Sequence, residues 1–510
     1  ALKTKQVQSE RDERDRQNDK LAQDQFELGT LHSLRFDWPK ALEAFREAWK
    51  LKHDPSYGAA YADYAKRQGQ FDQAAAVYDA LLAMPLDPAD TAAVLNNQAN
   101  LFSGTLRMRE AEQAYHKALS IQRSLAAADP DIYRPDMALT LSNIAVFYRT
   151  TQRLREAEQA HEESLSIRRE LARTDPDEHV PEVATTLHNL AVLYVTTQRV
   201  NEAEAAFEEA LSIRRRLAKA QPDAYAADVA STLRDLANLY SDTQRSIDAE
   251  PAYCDALATY RRLAEANPEG FLPDVATTLH NLAILYHNTR RISQAESDYK
   301  EALAIRWRLA KTHPEVYLPD VAASLNALAV LYRSSNRLTE AEQTCKEALA
   351  IRRELAQASP EAHLGDLAMA LNNLAVIYRE TEQNDEAEKT YQEALAIRRD
   401  LAKANPAAYL PDVVMTLNNL GILYEDSGRL QEAETCCREA ESLLEPLWRA
   451  NPELHGDQMA RILVVQAQVW SSLGRSPNEA HALARRAHEI AYEENLKRSV
   501  EWLMNQLASK

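Results

Sequence analysis

Apolar and polar positions along the chain follow the spacing of amphipathic helices. Around residue 190, Leu187, Leu190, Ala191 and Tyr194 fall at offsets of three, four and seven, which places them in one stripe. A second stripe follows in Ala203, Phe207, Ala210, Leu211 and Leu217, where the small Ala203 and Ala210 permit another helix to come close. A polar turn, TTQR, separates the two. After the second stripe come an Asx-Pro or Ser-Pro pair and a further proline-bearing turn of the PDVA type. Proline lacks an amide donor and disfavours helix in the residue before it. Pro176, Pro222, Pro268, Pro314, Pro360 and Pro406 are therefore expected to end the second helix of each unit.

The two-helix pattern recurs every 46 residues: TLSNIAVFY ends at Tyr148, TLHNLAVLY at Tyr194, TLRDLANLY at Tyr240, TLHNLAILY at Tyr286, SLNALAVLY at Tyr332, ALNNLAVIY at Tyr378 and TLNNLGILY at Tyr424. Phe102 and Trp470 occupy the same slot one period before and after. A single helical hairpin cannot bury both of its stripes, so stacked neighbours must supply the core. The prediction is an all-α stack of helical hairpins. The chain divides into a charged helix or linker at 1–22, two shorter hairpins at 23–88, eight 46-residue units at 89–456, and a degenerate unit with capping helices at 457–510.

The first helix of each unit, helix A, and the second, helix B, together resemble the tetratricopeptide repeat in its longer kinesin light chain-like version. The segment PEVATTLHNLAVLYVTTQRVNEAEAAFEEALSIRRRLA, from Pro181 to Ala218, carries the likeness most clearly. The two shorter units, with Gly69, Ala74 and Tyr78, resemble the ordinary repeat. The resemblance implies a right-handed superhelical solenoid whose A helices line a concave groove, a protein or peptide partner, and a bacterial chain.

In such a groove the informative residues lie on helix A away from the packing stripe. One row reads Asn96, Ser142, His188, Arg234, His280, Asn326, Asn372 and Asn418; one seven residues on includes Arg149, His287, Arg333 and Arg379, with Glu425. A mostly apolar row of Val146, Val192, Ile284, Val330, Val376 and Ile422 lies between them. Asparagine can pair with any extended backbone and arginine with carboxylates, so Asn96, Ser142, Arg149, His188, Arg234, His280, His287, Asn326, Arg333, Asn372, Arg379 and Asn418 are the candidate peptide-binding residues, for an acidic ligand. The resemblance supports Asn326, Asn372 and Asn418, since kinesin light chain repeats hold acidic motifs with groove asparagines and basic residues; His188, Arg234 and His280 depart from that pattern. Replacing Asn326 and Asn372 with Ala and Arg333 and Arg379 with Glu is expected to abolish capture and leave folding intact. The rows also read as a merely solvated face. A second row, Asn97, Asn143, Asn189, Asn281, Asn373 and Asn419, serves either hydrogen bonding between units or a ligand. Arg pairs such as Arg168 with Arg169, Arg352 with Arg353 and Arg398 with Arg399 read as solvated or inter-unit ion pairs of little weight.

Composition narrows the function. Lys and Arg number 59 against 77 Asp and Glu, a net charge of −18, which argues against a nucleic-acid binder. The four cysteines, Cys254, Cys345, Cys436 and Cys437, have neither disulfide nor zinc spacing and read as small buried side chains in a reducing cytoplasm. No apolar run spans a membrane. There is no HExxH, GxSxG or GxxxxGK, so neither an enzyme nor a cofactor is expected. Pro251 reads as a first-turn proline of a helix B. The chain opens on Ala1 and a charged segment, the expectation for a processed product or a piece of a longer protein. Two other roles fit the pattern: the sensor or regulatory arm of a multidomain signalling or defence protein with an upstream domain, and a homo-oligomerising scaffold.

Overall fold

The computed structural model describes the backbone of residues 2–35 and 37–508, with side chains for residues 13, 14, 16–35 and 37–508. Every regular element among them is a helix. The helices fall into two compact units, residues 1–239 and 240–510.

The first unit holds α1 (Leu2–Leu34), α2 (Trp38–Leu51), α3 (Pro55–Arg67), α4 (Phe71–Leu82), α5 (Pro88–Gly104), α6 (Met108–Ala128), α7 (Pro130–Thr150), α8 (Leu154–Thr174), α9 (Pro176–Thr196) and α10 (Val200–Ala220). The boundary falls inside α11 (Pro222–Asp242). The second unit holds α12 (Ser246–Ala266), α13 (Pro268–Asn288), α14 (Ile292–Ala310), α15 (Pro314–Ser334), α16 (Leu338–Ala358), α17 (Pro360–Glu380), α18 (Asn384–Ala404), α19 (Pro406–Asp426), α20 (Leu430–Ala450), α21 (Pro452–Ser472), α22 (Pro477–Ile490) and α23 (Glu494–Ala508). Consecutive helices pack as antiparallel hairpins. The charged opening belongs to α1, which runs through residue 22 without a break and pairs with α2.

In the longer repeats one residue outside the helix joins helix B to the next helix A, except between α14 and α15, where residues 311–313 do so. Asp175, Asn267 and Asn405 are such residues, and their side chains accept from the amides of Glu178, Gly270 and Ala408 at 3.3, 3.1 and 3.3 Å. The proline that follows stands at the first helical position, where its missing donor costs nothing and its fixed φ suits the helix. The PDVA proline, expected in a second turn, lies instead inside helix A: Pro135, Pro181, Pro273, Pro319 and Pro411 are each the sixth residue. There a proline forfeits one bond, to a carbonyl near the exposed start of the helix, while the rest of the helix is packed. Pro251 is likewise the sixth residue of α12 and beyond its first turn.

The turn from A to B is closed by a residue in the left-handed region, Gln152 (φ 61°), Gln198 (59°), Asn336 (58°) or Gly428 (71°). The next amide returns to the signature tyrosine carbonyl, as from Arg153 to Tyr148 at 2.8 Å. Alanines with no exposed surface stand at the crossings, among them Ala184, Ala191, Ala203 and Ala210 in the first unit and Ala322, Ala329 and Ala341 near or at zero in the second.

The tyrosine grid is the centre of a seam between neighbouring hairpins. Tyr332 donates to Glu296 on the preceding helix B at 3.1 Å, and Arg337 donates to the same carboxylate at 2.6 Å while lying 4.2 Å over the Tyr332 ring. Tyr286 and Arg291 treat Glu250 the same way at 3.1 and 2.5 Å, and Tyr424 and Arg429 treat Glu388 at 2.9 and 2.6 Å. In the first unit Arg153 stacks 4.3 Å over Tyr148 and pairs with Glu112. Trp470 keeps the arrangement, donating to Glu434 at 3.2 Å beneath Arg475.

The Arg pairs divide their labour: the reading of solvated or inter-unit ion pairs holds for the second member and is corrected for the first. The first member is buried: Arg168 and Arg398 are 4% and 2% exposed. Arg168 donates to the Glu182 carbonyl at 3.0 Å and the Thr186 hydroxyl at 2.5 Å, and Arg398 to the Asp412 carbonyl and Thr416 at 3.0 and 2.5 Å. A planar fork of donors on an apolar stem suits this crevice, where helix A offers a carbonyl, a hydroxyl and, for Arg168, the Glu182 carboxylate at 3.0 Å. The second member does face solvent and pairs with the next helix B, as Arg169 with Glu209 at 2.7 Å and Arg353 with Glu393 at 2.9 Å.

Candidate functional site

Within each unit, A helices approach the next A helix (α5 with α7 and α7 with α9; α13 with α15, α17 with α19 and α19 with α21) more closely than any successive B helices do. The A-helix face is thus the inner side of each stack, the side on which repeat arrays present extended binding surfaces.

In the second unit, α15, α17 and α19 carry an amide ladder. Asn373 donates its side-chain amide to Asn326 at 2.8 Å, and Asn419 to Asn372 at 3.1 Å. The second asparagine row therefore bonds between repeats. Each pair uses one donor and one acceptor, leaving a donor on Asn326 and an acceptor on Asn373 for another partner. The ladder stops at Asn418, whose buried carbonyl oxygen has no partner because Val465 stands where the next asparagine would be. Asn372 is only 4% exposed, so its replacement by Ala is not neutral to folding as expected from the sequence. The cations are likewise committed: Arg333 pairs with Glu380 at 2.8 Å and Arg379 with Asp426 at 3.4 Å, while His287 meets Ser334 at 2.8 Å. Glu425, on the same face, has its carboxyl pushed up by burial and by Asp426. His280 lies edge-on to Tyr299, and burial, helped by Arg306, lowers its pKa to about 4, so it is a neutral packing residue at pH 7. Beside these partly exposed ion pairs the face also exposes apolar side chains: Met369 (41%), Met415 (38%) and Ile284 (38%).

The first unit differs. Asn96 is buried and accepts from Asn143 at 3.1 Å; Ser142 is buried against Ser164 at 2.9 Å, whose own hydroxyl donates to the Ala138 carbonyl. His188 stands edge-on to Phe207 with Nε2 3.3 Å from Asp235, which Arg234 also contacts at 3.2 Å. Burial would raise the Asp235 carboxyl, but His188 and Arg234 hold it below the usual range. Arg149, by contrast, has no acid partner among the described residues. Sequence rows hid these acids because Asp235, Glu380 and Asp426 sit one residue beyond the repeat, 47 residues from the side chains they meet.

A small pocket of about 40 Å³ opens between α15 and α17, walled by Ala329, Val330, Val376 and Ile377, floored by Cys345 and rimmed by Arg333 and Asn373. A larger cleft, about 560 Å³, lies on the other side between α8 and α10 above α9, lined by Leu165, Leu187, Tyr194 and Ala206 with Arg169 and Glu209 across it. None of the predicted binding residues lines that cleft. Cys345, Cys436 and Cys437 are buried, and Cys254 is exposed, against expectation, because its α12 position faces outward. Among the described residues no group of three or more metal-ligating side chains converges, and no helix is long and apolar enough to cross a membrane.

No curated protein matches the chain. Among solved structures, BtubC (BKLC) from P. vanneervenii is 28% identical over 49% of this chain and 92% of that one, with a TM-score of 0.41. Yeast Tom70 is 14% identical over 96% of each, with a TM-score of 0.41. A Podosopora anserina putative kinesin light chain with nearly identical repeats is 20% identical over 43% of this chain and 95% of that one, TM-score 0.34. A family model described as tetratricopeptide repeat matches residues 136–216, 183–262, 320–400 and 366–445, and a second model of that description matches 275–315. These matches together cover more than half of the chain, and with the hairpin stacking described above they make it a member of the tetratricopeptide repeat family.

Proposed function

We propose that this interaction scaffold holds an extended peptide segment of a protein partner against the A-helix face of α15, α17 and α19, within the eight longer repeats of residues 89–456. The observation that carries the reading is the conjunction on that face of exposed Met369 and Met415 with amide pairs that keep unused donors and acceptors. Flexible methionine surfaces adapt to varied apolar partners. An acidic segment suits the two cations: the Arg333–Glu380 and Arg379–Asp426 pairs are partly exposed and individually weak, so a ligand carboxylate can displace Glu380 or Asp426. Of the residues singled out in the sequence, Asn326, Arg333, Asn372, Arg379 and Asn418 contribute here; Arg149 offers a second cationic point in the first unit. The setting proposed is the cytoplasm.

The test is capture from a lysate of the source cell by wild-type protein and by Met369→Glu/Met415→Glu and Arg333→Glu/Arg379→Glu variants. A partner lost in both variants, and weakened by salt, supports the reading. A partner held equally by all three proteins places binding on another surface and overturns it.

A further inference from the structure

The helix-B position beneath the inner face is occupied by a large ring in most repeats: Tyr115 and Phe207 in the first unit, Tyr253, Tyr299 and Tyr391 in the second, each 2% exposed or less. At Cys345 the ring is replaced by a thiol. Its smaller volume is not filled by neighbours, and a pocket of about 40 Å³ is left beside it between α15 and α17. By contrast Cys437, in the same slot two repeats on, lies close beneath Gly421: the Cβ of a residue at 421 would stand 3.4 Å from its sulfur and 3.7 Å from Val465. Cys345 thus lines an opening toward the face.

We propose that this pocket is the anchor site for one small aliphatic side chain, alanine- to valine-sized, of an extended peptide whose neighbouring residue is acidic. The proposal rests on the reading of the A-helix face given above. The walls, Ala329, Val330, Val376 and Ile377, and the thiol floor are apolar, and the volume is a few times the ~10–15 Å³ of such space that a single water needs, so it suits a methyl or isopropyl group better than an aromatic one. Burial pushes the Cys345 thiol up to about 12, so the floor is a neutral, unreactive group. Polar groups are confined to the rim. Asn373 keeps an acceptor for a peptide amide, and Arg333, ion-paired with the exposed Glu380, is placed to meet a carboxylate beside the anchor.

A displayed library of random linear peptides is selected on the full chain, and recovered peptides are measured against wild type, Cys345→Phe, Cys345→Leu and Met369→Glu/Met415→Glu. Cys345→Phe restores the ring of the sister repeats, and Cys345→Leu fills the space with less risk to folding. The expected result is a shared Ala or Val beside Asp or Glu in the recovered peptides, an affinity loss of about tenfold or more in both Cys345 variants, and unchanged melting. Peptides that need Met369 and Met415 but bind both Cys345 variants at full strength overturn the pocket and leave the face reading standing. Recovery of no peptide sensitive to the methionine changes overturns both.

Discussion

The seam between hairpins and the inner face of the A helices share one period, yet they keep it with different strictness. At the seam, Tyr286, Tyr332 and Tyr424 each reach back 36 residues to a glutamate and the following arginine reaches back 41. On the face, one slot passes through Asn, Ser, His, Arg and back to Asn. A seam residue answers to partners on two helices at once, and altering it strands a buried or half-buried charge. A face residue answers to a neighbour one residue out of phase, often a weak one, and is free to change. Where the seam does vary, it is compensated: Gln383 replaces the arginine, still donates to Glu342 at 3.1 Å, and Lys346 brings the cation to 5.6 Å from Tyr378.

The difference can be broken first at the buried arginines. Arg398→Met should cost about 2–4 kcal/mol, since it removes the donor to the Thr416 hydroxyl and one of the donors to the Asp412 carbonyl and leaves a poorly filled crevice. Hydrogen exchange should report the loss in α18 and α19 before distant helices, because repeat stability is set by nearest neighbours. Intact protection there would show that the arginine is only tolerated.

Next in size is the seam carboxylate. Glu296→Gln should destabilise by about 1–2 kcal/mol at pH 7, removing charge-assisted bonds from Arg337, Tyr332 and Lys300. Those bonds, against the opposing effect of burial, hold the Glu296 carboxyl down to about 2. A depressed folded pKa means that its contribution is complete above the unfolded value near 4.3 and is lost as pH falls toward 2. The gap in melting temperature between wild type and variant should therefore narrow from pH 6 to pH 2.5; a constant gap would assign the carboxylate no role in the seam.

On the face, Asn372→Ala should cost about 1 kcal/mol because it is buried and accepts from Asn419. Met369→Ser should stay within about 0.5 kcal/mol. Equal effects in chemical denaturation would erase the distinction between seam and face. The smallest change belongs to the turn: Gln198→Gly relieves a left-handed residue and should raise stability by roughly 0.5 kcal/mol, after the entropy of glycine is set against it.

The period, the hairpins and the tyrosine grid were legible because each is a regularity along one helix or between equivalent positions. The role of the tyrosine was not, since its glutamate and arginine lie on different elements and only packing unites them. The PDVA prolines misled because proline is a helix breaker on average, whereas a sixth-position proline such as Pro181 loses only one bond. The first member of each Arg pair gave no hint of burial, for Arg168 and Arg169 differ only in a rotation about the helix. The face was half legible: its asparagines and arginines lie in the rows, but Glu380 and Asp426, which neutralise Arg333 and Arg379, stand one step out of register. The Cys345 pocket required comparison of the slot among repeats together with the space around it.

The reach-back contacts have the same spacing at each junction where they occur, and the links from helix B to the next helix A in the longer repeats are short, one residue at most junctions and three between α14 and α15. Removing or duplicating any whole 46-residue block between equivalent positions would therefore return a tyrosine and its turn residue to a waiting glutamate. The chain can exchange its binding surface by shuffling modules, altering which anchors follow one another without renegotiating how modules join.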